Sequence, residues 1–345
     1  MFVTQQVDPA HPALAATVPK IRALAERVDE VVVLADRTVP GELPANCRAR
    51  SFRSPWKAGR GLRFEAALAR ELSPRPSAVV AHMCPIYAVL AAPFARPLGV
   101  PVVLWFTHWN ASRTLRLAEK LSTRVASVDV RSFPLDSPKV TAIGHGIDLS
   151  EFSCNGPAPE HADLRLVALG RYSAAKGLET VLRAVRLALG EGVDVRLETY
   201  GPALSAPERG HRRELEQLVE ELDLGRRVRL GHAILRTEVP GVLAGADALV
   251  NNMRAGAPDK AVYEAGATCL PVLASNPIFD ELLDGLGADL RFDRDDPAQL
   301  AGRIGALATI EPENRRRIGR ALRERVAERH SVESWADGLL RVVMK

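Results

Sequence analysis

The chain has 345 residues, 47% hydrophobic and 26% charged, a globular composition that excludes disorder over most of its length. Its longest apolar runs, such as Val100–Phe106, fall far short of the ~20 residues of a membrane helix, so no transmembrane span is expected. The formal charge is +4, unevenly spread: residues 1–150 carry +7 and the remainder −3.

Short β-branched runs alternate with amphipathic helical stretches. Residues 30–36 (Glu-Val-Val-Val-Leu-Ala-Asp) predict a buried strand. So do 77–83, 100–107, 164–169, 194–200, 227–231, 247–251 and 271–275. Between them apolar residues recur at three and four, as in Leu178–Leu189 and Arg212–Leu222, and Pro312–Lys345 is mostly helical. Strands apolar on both faces, alternating with helices, mean parallel sheets covered by helices. Strands fall on both sides of a turn-rich segment, 148–163, whose Asn155-Gly156-Pro157-Ala158-Pro159 reads as a linker. The expected organisation is an α/β domain over 1–150, a second over 151–330 and a closing helix over 331–345. In such open sheets ligands bind at the loops that follow the strands.

The basic excess is densest at Arg48, Arg50, Arg53, Lys57, Arg60, Arg63, Arg70 and Arg75, against Glu65 and Glu71. It reads as a solvated surface or as a docking face for an acidic partner. Residues 48–75, with Trp56, suit an anionic membrane surface. Nucleic acid is not expected, because no recognition motif accompanies the charge. Cys47, Cys84, Cys154 and Cys269 are far apart, and no C-x-x-C or H-x-x-x-H spacing occurs. They read as reduced thiols in a cytoplasmic protein, with no structural metal. The first residues lack a basic segment and a long apolar run, so no secretory leader is expected.

Two motifs carry the chemistry. In Leu166-Val-Ala-Leu-Gly170-Arg171-Tyr-Ser-Ala-Ala-Lys176-Gly177 a strand ends at Gly170, and Lys176-Gly177 opens a helix. Two cations near helix N–H groups suit a pyrophosphate, or are surface cations flanking a loop. In Asn251-Asn-Met-Arg254-Ala-Gly256-Ala257-Pro258-Asp259-Lys260-Ala261-Val-Tyr-Glu264 a strand runs into a Gly/Pro loop and then a helix. Loop amides and the helix N-terminus suit phosphate. Glu264 suits a ribose diol, or is a surface glutamate.

Together these segments resemble the C-terminal half of the family-4 retaining glycosyltransferases, which have a GT-B fold of two Rossmann-like doubly wound domains facing a central cleft. The family carries G-R-x-x-x-x-K-G and, about 80–90 residues on, an E-x7-E loop-helix ending E-A-x-A-x-G-x-P-V-[IV]-A-S. Here Glu264-Ala-Gly-Ala-Thr-Cys269-Leu-Pro271-Val-Leu-Ala-Ser275 is similar, with Cys269 where the family usually has glycine. The resemblance implies that Gly170, Arg171 and Lys176 bind a donor diphosphate, with Arg171 and Lys176 also catalytic. It implies that Gly256, Ala257, Pro258 and Asp259 form the donor loop. The amides of Lys260 and Ala261 would take phosphates, Glu264 the ribose, and the turn Gly231-His232-Ala233 the base edge. The first glutamate of E-x7-E would stand at Gly256; either Asp259 takes its place or the sugar is held differently. In the N-terminal half the resemblance puts His108, at a strand end, beside the reacting sugar as a catalytic and acceptor-side residue. His82, also at a strand end, is placed on the acceptor side or caps a helix. Thr4-Gln5-Gln6-Val7-Asp8 replaces a Gly-Gly turn, with Asp8 toward the acceptor. Gly144-His145-Gly146-Ile147-Asp148 reads as a tight domain-closing turn.

The implied activity is retaining transfer of a sugar from a UDP- or GDP-linked donor to a saccharide or lipid-linked acceptor hydroxyl, in polysaccharide or glycolipid synthesis. No metal or cofactor is expected. Asp293-Arg294-Asp295 is a formal D-x-D, but Asp296-Pro297 before a helical run reads as a helix cap. The location expected is cytoplasmic, at the cytoplasmic membrane face. The rivals are a degenerate nucleotide-sugar-binding partner, motivated by Gly256, and a sugar-nucleotide epimerase, which shares the architecture.

Overall fold

A computed structural model describes residues 1–9, 16–39, 41–154 and 161–345. The linker motif Asn155–Pro159 lies outside the described residues. The chain forms two compact units, Met1–Asp148 with Arg329–Lys345, and Leu149–Glu328.

The first unit holds β1 (Phe2–Val7), β2 (Val31–Thr38), β3 (Cys47–Ser51), β4 (Val79–His82), β5 (Val102–Trp105), β6 (Arg124–Ser127) and β7 (Val140–Ala142). They pair in parallel in the order β3-β2-β1-β4-β5-β6-β7. The strands on the two sides of the β1/β4 pair are wound in opposite directions, which makes that pair the topological switch. Central strands are buried throughout, as at Val79–His82 and Val102–Trp105. Helices such as Pro85–Ala95 cover them, with Phe52, Phe64 and Tyr87 in mutual ring contact. Thr4–Val7 belong to β1, not to a turn; only Asp8 follows the strand.

The C-terminal helix Val332–Met344 packs on the helix Thr17–Ala25, with Trp335 fully buried. Gly144 and Gly146 let this return pass. Both have left-handed backbones, and a side chain at either would strike Arg329–His330 or Lys20 and Trp335. The amides of Gly146 and Ile147 bond His330 O at 3.0 and 2.7 Å. The turn is structural.

The second unit holds β8 (Leu164–Leu169), β9 (Val195–Tyr200), β10 (Val228–Leu230), β11 (Ala248–Asn251) and β12 (Val272–Ala274), all parallel in the order β10-β9-β8-β11-β12. Its switch lies between β8 and β11, so the loops after these two strands flank the crevice where open sheets take ligands.

A disulfide joins Cys154 to Cys269, with Cα atoms 5.4 Å apart. This corrects the expectation of four reduced thiols; Cys47 and Cys84 remain free. The pairing spans 115 residues and no sequence spacing announces it. Cys269 stands just past the helix Lys260–Ala267 with φ +58°. Its amide bonds Gly266 O, and that of Leu270 bonds Ala265 O, both at 2.9 Å. These two bonds make a Schellman ending, whose left-handed position normally takes glycine.

Candidate functional site

At the second switch, β8 ends at Gly170, whose φ is +133°. A side chain there would strike the Lys176 ammonium group. The glycine therefore lets Lys176 fold back over the strand end, where Nζ donates to Leu169 O at 2.9 Å and pairs with the Asp259 carboxylate. Asn251, the last residue of β11, donates to the same Asp259 oxygen at 2.7 Å. Lys176 and Asp259 are mostly buried, 15% and 13% exposed. The two motifs, 83 residues apart, thus meet through one ion pair.

Asn252 locks the arrangement. Buried, it donates to Gly177 O at 3.0 Å and to Asp295 Oδ1 at 3.2 Å, and accepts from Ser275 Oγ at 2.9 Å. Asn276 pins the loop after β11 by donating to Arg254 O and Ala257 O at 3.0 and 2.9 Å. Ala257 and Pro258 are buried. Gly256 has φ +76°, a left-handed backbone that disfavours any side chain by ~1–2 kcal/mol. A glutamate is thus poorly suited to this loop. Asp259 is held by Lys176 and Asn251.

The helix Lys260–Ala267 opens here, and its cap residue Asp259 makes no side-chain cap bond. The amides of Lys260 and Ala261 belong to the first turn, whose N–H groups find no intrahelical acceptor and carry the positive end of the helix dipole. One turn in, Glu264 is 4% exposed. Its Oε1 pairs with Arg236 and, at 2.9 Å, with Lys260 Nζ.

Arg171 leaves the strand end toward solvent, with Nη1 3.1 Å from Glu208 Oε1. Glu208 also completes a capping box with Ser205 at the helix Ala206–Glu221. After β10, the loop 231–233 is set by Tyr172, whose buried hydroxyl donates to Gly231 O at 2.6 Å. Gly201 N bonds His232 O at 3.2 Å, and Ala233 is exposed.

In the first unit His108 follows β5 and is exposed. Its Nδ1 accepts from Asn110 N at 3.0 Å and its ring stacks on Trp109 at 5.1 Å. Asp8, after β1, is partly exposed. His82 differs. It is buried, stacked on Trp105 at 4.7 Å and ringed by Phe2 and Trp335. Burial, aided by the Lys20 ammonium, holds its pKa well below the ordinary value, so it is a neutral core histidine. That burial does not support an acceptor-side role. Nor does it cap a helix: Cys84 precedes the helix Pro85–Ala95, without a side-chain cap bond.

Residues 163–309 match the family model described as glycosyl transferases group 1.

That segment, 163–309, is similar to the group 1 glycosyl transferases.

No curated protein sequence matches it. Its fold is similar to that of sucrose-phosphate synthase from Thermosynechococcus elongatus, with TM-score 0.78, 17% identity and coverage of 99% of this chain and 97% of that one. HepE from Anabaena, solved with UDP and glucose, gives 0.75, 15%, and 100% and 98%. A glycosyltransferase from Rickettsia africae gives 0.75, 13%, and 99% and 97%. At these identities the likeness establishes the fold, which is GT-B.

In this chain the D-x-D is not one site. Asp296 caps the helix Pro297–Ala308, accepting from Gln299 N at 2.9 Å. Asp293 lies on Gln299, and Asp295 on Asn252 and Thr180. The basic run divides as well. Arg48 pairs with Glu30 and Glu71, Arg50 with Glu71, and Arg60 with Asp36. Arg53, Lys57 and Arg63 have no ion pair among the described residues, and in sequence they flank Trp56 and Leu62, which are 75% and 69% exposed. Sequence reasoning missed Arg236, Asn252 and Tyr172. Each acts on a partner more than 20 residues away, which no local pattern signals.

Proposed function

We propose that the chain is a retaining glycosyltransferase that moves a sugar from a UDP- or GDP-linked donor to a saccharide or lipid-linked hydroxyl. The observation that carries this reading is the meeting of Lys176 with the opening of the helix Lys260–Ala267 at the second switch, inside the matched family segment. A diphosphate placed there meets Lys176 and the amides of Lys260 and Ala261, with Arg171 at the rim. These groups stabilise the negative charge that grows on the leaving diphosphate. The bond from the sugar carbon to the phosphate oxygen breaks, and the acceptor oxygen bonds to the same face. The acceptor proton passes to the departing phosphate.

The donor charge is met by protein cations and amides, so no metal is assigned a role. Glu264 takes the ribose and the loop at Ala233 the base edge. Asp8 and His108 are assigned to the acceptor side. We place the enzyme at an anionic membrane face, in polysaccharide or glycolipid synthesis. The left-handed Gly256 favours one second reading, a nucleotide-sugar-binding partner without transfer. Mass spectrometry after incubation with a panel of UDP- and GDP-sugars, with and without excess chelator, decides. Released nucleoside diphosphate from one donor in both conditions is expected. Binding without turnover favours the partner reading, and loss with chelator restored by Mn²⁺ overturns metal independence.

A further inference from the structure

Arg236 follows the loop 231–233, yet its guanidinium reaches another element. It is 12% exposed and spread between two carboxylates, with Nη1 donating to Glu264 Oε1 and Nη2 to Glu151 Oε2 at 2.6 Å. Its centre sits 5.0 Å from the Phe152 ring centroid. Only a planar fork spans two carboxylates in this way; an ammonium group is a single point charge. Burial opposes the charge on Arg236, but Glu264 and Glu151 outweigh it and raise its pKa.

Glu264 needs such a partner. Its carboxylate is buried, and a nucleotide's phosphates would repel it. Arg236 and Lys260 answer both, and among the described residues both fall on Oε1. A carboxylate accepts on two oxygens, so Oε2 keeps its capacity for a ribose hydroxyl. Arg236 also ties the loop assigned to the base to the helix assigned to the ribose.

We propose that Arg236 is a positioning residue for donor binding: it fixes the Glu264 carboxylate so that its second oxygen reads the ribose diol. This rests on the donor-site reading of Glu264. The test uses calorimetry with UDP, GDP and their 2′,3′-dideoxy analogues. The nucleotide that binds the wild-type chain should bind better with its diol. Arg236→Gln should weaken that nucleotide about tenfold, the scale of one charge-assisted hydrogen bond, and leave the dideoxy analogue unchanged. Arg236→Lys should show the same pattern to a smaller degree, which keeps the test open if Arg236→Gln does not fold. Glu264→Ala should abolish the diol preference. If it does so while the Arg236 variants keep the full preference, or weaken both nucleotides equally, the proposal is overturned and the donor reading stands. If Glu264→Ala keeps the preference, the ribose reading itself fails and the proposal falls with it.

Discussion

Lys176 does two jobs that mutation can separate. In the fold it neutralises Asp259, and in the proposed chemistry it holds the donor diphosphate. Removing one member of a fully buried pair costs ~3–5 kcal/mol, and of an exposed pair ~0–1. Lys176 and Asp259 are about one-seventh exposed, and Asn251 still donates to Asp259 when Lys176 is gone. Lys176→Ala should therefore lower stability by about 2 kcal/mol, between those limits. It should also remove a charge-assisted bond to phosphate, ~1.5–3 kcal/mol, which weakens the nucleoside diphosphate roughly 10- to 150-fold. Adding Asp259→Asn removes the stranded carboxylate. The double variant should regain most of the stability and none of the affinity. Urea denaturation and calorimetry with UDP and GDP read the two quantities independently. Affinity that returns with stability would mean that Lys176 acts only on the fold. An unchanged affinity in Lys176→Ala would refute the diphosphate assignment.

Three further outcomes are expected. Closing a loop of 115 residues, the Cys154–Cys269 bridge should be worth ~2–4 kcal/mol, so Cys154→Ser or dithiothreitol should lower the urea midpoint; mass spectrometry of the oxidised chain with four alkylatable thiols would contradict it. Burial holds His82 well below the usual imidazole range and takes His330 down to about 4. Between pH ~6.5 and ~4 the unfolded chain binds more protons, so their contribution is full above ~6.5 and lost on acidification, by up to ~1.4 kcal/mol per pH unit for each histidine. Urea midpoints at pH 7, 6 and 5 check this, and a flat series refutes it. Trp56→Ser with Leu62→Ser should abolish flotation with anionic vesicles at low salt. Equal recovery of the wild-type chain with neutral vesicles rejects the membrane face.

Much of the fold was legible because the central strands are apolar on both faces. Val31–Thr38, Leu164–Leu169 and Ala248–Asn251 fall within two residues of the predicted segments. Cys47–Ser51 and Val140–Ala142 were not, being short edge strands with exposed or half-exposed residues, and Arg124–Ser127 was missed as well. The two motif segments were legible as strand-loop-helix punctuation by glycine and proline. What held them together was not: Asn252, Arg236 and the disulfide act through partners set by topology. His82 shows the limit of position along a strand. It ends β4 as His108 follows β5, but Trp105 and Trp335, distant in sequence, bury it.

The central claim is that the second switch holds a nucleoside diphosphate. A crystal structure of the chain with UDP or GDP tests it most directly. The account predicts phosphate oxygens within hydrogen-bond distance of Lys176 Nζ and the amides of Lys260 and Ala261, with the ribose hydroxyls on Glu264. A nucleotide bound elsewhere, or one that leaves Lys176 on Asp259 with no phosphate contact, would contradict it.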